Sequence, residues 1–169
     1  LHVFDASKII GDLQVIRLDN EEKFIGLDKK EYMLSQGDIV IKDNEKIVSI
    51  AGIMGGLNSC VDENTKHVFL EVAYFNAHRI AQTGRRLGIT SDARYRFERG
   101  IDPKGLIEGL EYSTALINSI CGGSFSDYVE AGNSINLIKE IKYDFNSFEK
   151  LIGFSVNKNR QKNILTNLN

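Results

Sequence analysis

Two short β-branched runs, Asp38–Lys42 and Lys46–Ala51, are separated by only Asp43-Asn44-Glu45. Three residues cannot hold the helical crossover that joins parallel neighbours, so these runs predict a hairpin. Leu13–Leu18 alternates apolar and polar residues, Lys23–Leu27 does so less cleanly, and His67–Ala73 is a fifth strand candidate. The loops between these runs are short throughout. The expected fold class is therefore α/β of the α+β kind: a mixed or antiparallel sheet of short strands packed with a few helices.

Helix signals follow the strands. Asn76 is a sound N-cap for Ala77–Leu87, with Arg85 and Arg86 in the last turn and Gly88 as the stop. Ser91 can cap a short helix through Arg99, and Asp102-Pro103 reads as a further helix start, ended at Gly122-Gly123. Phe125–Glu130 is read as a returning strand. After Ala131-Gly132-Asn133-Ser134 the core thins and Asn and Lys become dense. Residues 1–132 are expected to form one domain. Residues 133–169 are expected to open a second, with an extended run over Ile135–Lys142, a brief helix over Phe145–Leu151 and a last helix capped by Asn157. The chain starts on Leu1 without Met and reads as a piece of a longer polypeptide.

A formal net charge of -2 advertises no global basic field, so any RNA contact would have to be local. Two cysteines, Cys60 and Cys121, are too few for a disulfide framework and favour a reducing compartment. Three histidines without a CxxC or HExxH pattern argue against zinc. No apolar run is long enough to span a membrane.

Several residues are candidates for chemistry, each with a plainer reading beside it. Gly52-Ile-Met-Gly55-Gly56 is either a bend where a ligand approaches the backbone or an ordinary turn; its spacing fits neither dinucleotide nor P-loop fingerprints. Glu71, inside Phe69-Leu-Glu-Val-Ala73, either faces the core, where a carboxylate must be paired or protonated, or faces water. His2 is a neutral hydrogen-bonding group in a pocket or part of an edge strand. Thr90-Ser91-Asp92-Ala93 offers small hydroxyls at a helix start, where capping is the bland role. Arg94, Arg96, Glu98, Arg99 and Asp102 form a mutually paired helix face or an RNA contact. No nucleophile elbow is present.

Taken together, LHVFD, LDKKEYMLSQGDIVIKD, AGIMGG, VDENT, FLEVAYF and SDARYRFERGIDP closely resemble the tRNA-editing domain of the beta chain of bacterial phenylalanyl-tRNA synthetase. The resemblance covers Leu1 to about Gly123, and residues from about Ile135 resemble the start of the next domain, which implies a truncated small helical module there. It implies hydrolysis of mischarged tyrosyl-tRNA(Phe), because a pocket that admits phenylalanine discriminates a hydroxyl-bearing isostere by only about 100-fold. By resemblance, Glu71 would read the tyrosine phenol, His2 would lie close to the scissile ester, and Ser91 stands where the family often has threonine. Gly55, Thr90 and Ala93 would line the substrate pocket, a small Ala93 leaving its entrance open. The catalytic set is thus expected to be His2, Glu71 and Ser91, with no metal and no cofactor in this piece.

The same resemblance implies ATP and Mg2+ for the full synthetase, a partner alpha chain in an assembly of two alpha and two beta chains, the 3′ end of tRNA(Phe) carrying tyrosine as ligand, and a cytoplasmic location. The competing reading is a tRNA-positioning or structural module whose editing has decayed. A sugar-phosphate or nucleotide site on AGIMGG is disfavoured by the glycine spacing.

Overall fold

The protein is described by a computed structural model covering residues 1–133 and 140–168. Its strands are β1 (His2–Asp5), β2 (Gln14–Arg17), β3 (Glu22–Ile25), β4 (Glu31–Leu34), β5 (Ile39–Lys42), β6 (Ile47–Ile50), β7 (Met54–Gly55) and β8 (Val68–Glu71). The helices are α1 (Ala77–Leu87), α2 (Asp92–Phe97), α3 (Leu106–Cys121), α4 (Phe145–Ile152) and α5 (Lys158–Asn167). Two compact units result, Leu1–Val129 and Glu130–Asn169.

Every strand pair among the described residues is antiparallel. β2-β5-β6-β7 form one sheet, while β1-β8 and β3-β4 are two-stranded. Asp43 makes the β5–β6 hairpin turn where it does. Its carboxylate accepts from the backbone N–H groups of Glu45 (2.9 Å), Lys46 (2.8 Å) and Ile10 (3.0 Å), and from Lys46 Nζ (2.8 Å). Burial acts to raise its pKa, but these donors outweigh it and hold the carboxyl well below the ordinary range. β4 completes a hairpin with β3 that sequence periodicity does not announce.

Phe4, Leu34, Val40, Val48, Ile50 and Ile53 are all within 2% of full burial. Each buried side chain of this size contributes about 1.5–3 kcal/mol over leaving it exposed. Ile80 of α1 and Phe97 of α2 join the same cluster. Asp38 ties α1 to the start of β5: it accepts from Thr83 Oγ1 at 2.7 Å and from Ser35 N at 2.9 Å, and it pairs with Arg86.

The helix ends obey their caps. Asn76 accepts from Arg79 N at 3.1 Å, and Gly88 stops α1 with φ +65°, a left-handed conformation open to glycine. α2 ends at Phe97, short of the expected Arg99. Asp102-Pro103 opens a single 3-10 turn, Pro103–Gly105, before α3 begins. The strand expected over Phe125–Glu130 is not formed: Phe125 is 69% and Val129 93% exposed, and no described strand pairs with them. Apolar residues without a neighbouring ladder do not make a strand.

In the second unit, Asp144 caps α4, Gly153 closes it at φ +83°, and Asn157 caps α5. Tyr143 OH donates to the buried Gln161, whose amide donates to Val156 O. The expected run over Ile135–Lys142 falls largely outside the described residues.

Candidate functional site

The pairing of β1 with β8 sets His2 directly opposite Glu71 and Phe4 opposite Phe69. Opposed residues of an antiparallel pair project from the same face, with Cβ atoms about 4.5–5.5 Å apart. The His2 imidazole packs edge-on against Phe4, ring centroids 4.5 Å apart. This face closes one side of a cavity of about 420 Å³, which is walled elsewhere by Leu27, Asp28, Gly52–Gly55, Phe75, Ser91, Ala93 and Phe97. That volume suits a small aromatic ligand group.

Two polar atoms of this cavity, His2 Nε2 and Glu71 Oε1, are buried without a hydrogen-bond partner, and they are the only such side-chain atoms among the described residues. Leaving a buried polar group unpaired costs about 1–3 kcal/mol, so both are groups that a ligand or water would satisfy. Burial pushes the Glu71 carboxyl above its ordinary value and the His2 imidazole below its own. Both shifts favour the uncharged forms: a carboxyl able to donate and accept, and an imidazole with one free acceptor nitrogen.

The glycine bend serves the protein's own side chains. A Cβ on Gly55 would collide with Cε1 and Nε2 of His2, so the missing side chain is what lets the imidazole lie there. Gly52, at φ +66°, has Phe97 and Phe75 atoms 3.1–3.2 Å from where its Cβ would be. Ser91 holds this bend against α2. Its hydroxyl donates to Ile53 O at 2.6 Å and accepts from Arg94 N at 3.1 Å, so its proton is committed to the protein. Ala93 lines the cavity, but Thr90 does not. Thr90, just before the Ser91 cap, is exposed and lies outside the lining, while Ala93 and Phe97, four residues apart on α2, face inward.

The structure therefore gathers His2, Gly55, Glu71, Ser91 and Ala93 around one cavity and leaves Thr90 apart. It also adds Asp28, which the sequence reading does not single out; its neighbour Lys29 has φ +64°. Asp28 Oδ2 accepts from Tyr32 OH at 2.6 Å and Oδ1 accepts from Lys30 N at 3.2 Å. The Tyr32 hydrogen bond holds Asp28 below the ordinary carboxylate range, and the same bond pushes Tyr32 up to about 12.

The charged block braces the fold. Arg94 donates to Ile89 O (2.6 Å), Gly84 O (3.2 Å) and Glu98 (2.9 Å), while Arg99 pairs with Glu98 and stacks 3.7 Å above the Tyr95 ring. A more open polar groove of about 590 Å³ between α1 and α2 is lined by His78, Arg85, Arg94, Glu98 and Arg99. It contains no unpartnered buried group, so the cavity under His2 and Glu71 carries the stronger case for chemistry. Both cysteines are free. No group of three metal-ligating side chains occurs among the described residues, nor any helix long and apolar enough to cross a membrane.

The family model of the B3/4 domain matches residues 1–122. The chain is 48% identical over 168 residues to the phenylalanine–tRNA ligase beta subunit of Bartonella quintana, covering 99% of this chain and 21% of that protein. It is 46% identical over 168 residues to the beta subunit from Ruegeria pomeroyi, again covering 99% of this chain and 21% of the relative. It is 51% identical over 132 residues to that from Gluconobacter oxydans, covering 78% of this chain and 16% of the relative. The chain spans about a fifth of the length of the first two relatives.

Proposed function

Because the chain belongs to the B3/4 domain family, we propose that its cavity is the proofreading site of a phenylalanyl-tRNA synthetase beta chain, hydrolysing the ester of tyrosyl-tRNA(Phe). The observation that carries this reading is the pair of buried, unpartnered atoms, Glu71 Oε1 and His2 Nε2, facing one cavity. The beta-subunit identity of its relatives supports the assignment.

Tyrosine differs from phenylalanine by one hydroxyl. A site with a polar group waiting for that hydroxyl leaves the group unpaired when phenylalanine enters, and such sites reject the lesser ligand far more strongly than an apolar pocket rejects the greater one. Glu71 takes the phenol. Water then adds to the ester carbonyl, the bond from the carbonyl carbon to the ribose oxygen breaks, and that oxygen leaves with a proton. The products are tyrosine and tRNA with a free 3′ end. His2 Nε2, uncharged and unpaired, accepts a hydrogen bond from the attacking water and orients it, and the water's proton goes to the departing ribose oxygen. Ser91 acts by holding the Gly52–Gly55 bend, and Ala93 keeps the entrance open.

Delivery of the tRNA falls to the rest of the polypeptide and to an alpha chain, in an assembly of two of each in the cytoplasm. ATP and Mg2+ serve the charging reaction elsewhere in that enzyme. The test is deacylation of tyrosyl-tRNA(Phe) and phenylalanyl-tRNA(Phe) by the full enzyme carrying Glu71→Ala. Loss of preference for the tyrosyl ester is expected; wild-type discrimination in the variant would refute the role. An unmutated enzyme inert towards the tyrosyl ester would favour the decayed, tRNA-positioning reading.

A further inference from the structure

We propose that Asp28 is the subsite for the α-ammonium group of an aminoacyl ester bound in this cavity, an inference that rests on the hydrolytic reading above. An aminoacyl ester brings three chemically distinct parts: a side chain, the ester, and a cation on the α-carbon. A cation entering a partly desolvated cavity needs a partner of opposite charge.

Other polar groups of the wall do not meet that need. The Ser91 hydroxyl donates to Ile53 O and the Ser49 hydroxyl donates to Met54 O, His2 carries no negative charge, and Glu71 lies in a setting that resists ionisation. Asp28 differs in each respect. Its donors stabilise the carboxylate, and its side chain, which lines the cavity, is 29% exposed. A carboxylate offers about four acceptor sites. Tyr32 OH occupies one and Lys30 N another, while Lys30 Nζ forms a loose ion pair with Oδ2 at 3.7 Å, beyond hydrogen-bond length, from a side chain 73% exposed that a ligand cation can displace. Acceptor capacity and negative charge therefore remain. A side chain on Gly26 would press on this carboxylate, since its Cβ would sit 2.9 Å from Asp28 Oδ1. The cavity thus holds two carboxylates in contrasting settings, one suited to a neutral hydroxyl and one to a cation.

The test uses the full enzyme, wild type and Asp28→Asn, against two esters of tRNA(Phe): the tyrosyl ester, and the 3-(4-hydroxyphenyl)propionyl ester, which lacks the amine. Comparing each ester with itself across the two enzymes cancels its intrinsic reactivity. Asp28→Asn is expected to raise KM for the tyrosyl ester about 10- to 100-fold, the size of a lost hydrogen bond to a charged group. The amine-free ester should change less than about 3-fold, and Asp28→Glu should restore part of the tyrosyl loss. Equal losses on both esters, or no loss on either, would overturn the subsite while leaving hydrolysis intact. A wild-type enzyme inert towards the tyrosyl ester would overturn the hydrolytic reading and the subsite with it.

Discussion

Replacing Glu71 by methionine tests whether the carboxyl is held at a cost to stability. The two side chains are similar in length, and the change exchanges a carboxyl for an apolar thioether end. In the wild type, Oε1 is buried with no donor, a condition worth about 1–3 kcal/mol of destabilisation. Imperfect fit of the new side chain takes back up to about 1.5 kcal/mol. We expect net stabilisation of about 1 kcal/mol at pH 7, a rise in Tm of about 2–4 °C for a chain of this size. The pH dependence has a definite sign. Burial raises the folded-state pKa above the ordinary 4.5, so between the two values the folded state binds more protons than the unfolded one. The wild type's relative stability is therefore full below pH 4.5 and is lost as pH rises through the folded pKa. Methionine has no such slope, so the advantage of the variant is small near pH 4 and widens above it. Urea unfolding followed by circular dichroism from pH 4 to pH 8 measures this. A variant less stable than wild type by over about 1 kcal/mol at pH 7, or a gap that stays flat with pH, would show that Glu71 is satisfied in the native state.

Three further outcomes follow from the site geometry. Ser91→Ala removes both the α2 cap and the strut to Ile53 O, and chemical denaturation should show a loss of about 1–2 kcal/mol; Ser91→Thr, which keeps the hydroxyl, should stay within about 0.5 kcal/mol. Gly55→Ala drives a methyl into the His2 ring, and overpacking of this kind should cost about 1–3 kcal/mol together with an at least tenfold loss of deacylation by the displaced imidazole. Thr90→Ala touches no cavity group, so stability should hold within about 0.5 kcal/mol and deacylation should match wild type.

Local signals were legible because the interactions they encode are local. Asn76 and Gly88 bound α1 where the sequence puts them, and Asp43 and Ser91 each satisfy backbone groups within three residues. What sequence reasoning left open for Glu71, core or water, was decided by a partner far away in the chain: strand β8 alone has no inner face until β1 pairs with it in this register. The same dependence hid Asp28, whose turn resembles any other until β7 and β8 bring the rest of the cavity to it. Phe125–Glu130 went the opposite way, with strand-like residues and no edge to join. Thr90 enters the expected pocket only through the family resemblance, and it is exposed beside Ser91, which lines the cavity: one residue of offset at a helix start turns a side chain outward.

The β1–β8 pairing also has a kinetic consequence. The strands close a loop spanning residues 6–67, while the β5–β6 turn closes over residues 43–46. For an unstructured intervening chain the longer closure costs about 2 kcal/mol more entropy, so it becomes favourable only after the hairpins between have condensed. The cavity is then a late product of folding and an early casualty of local opening. A fluctuation that frays two four-residue strands separates His2 from Glu71 while the four-stranded sheet stays shut.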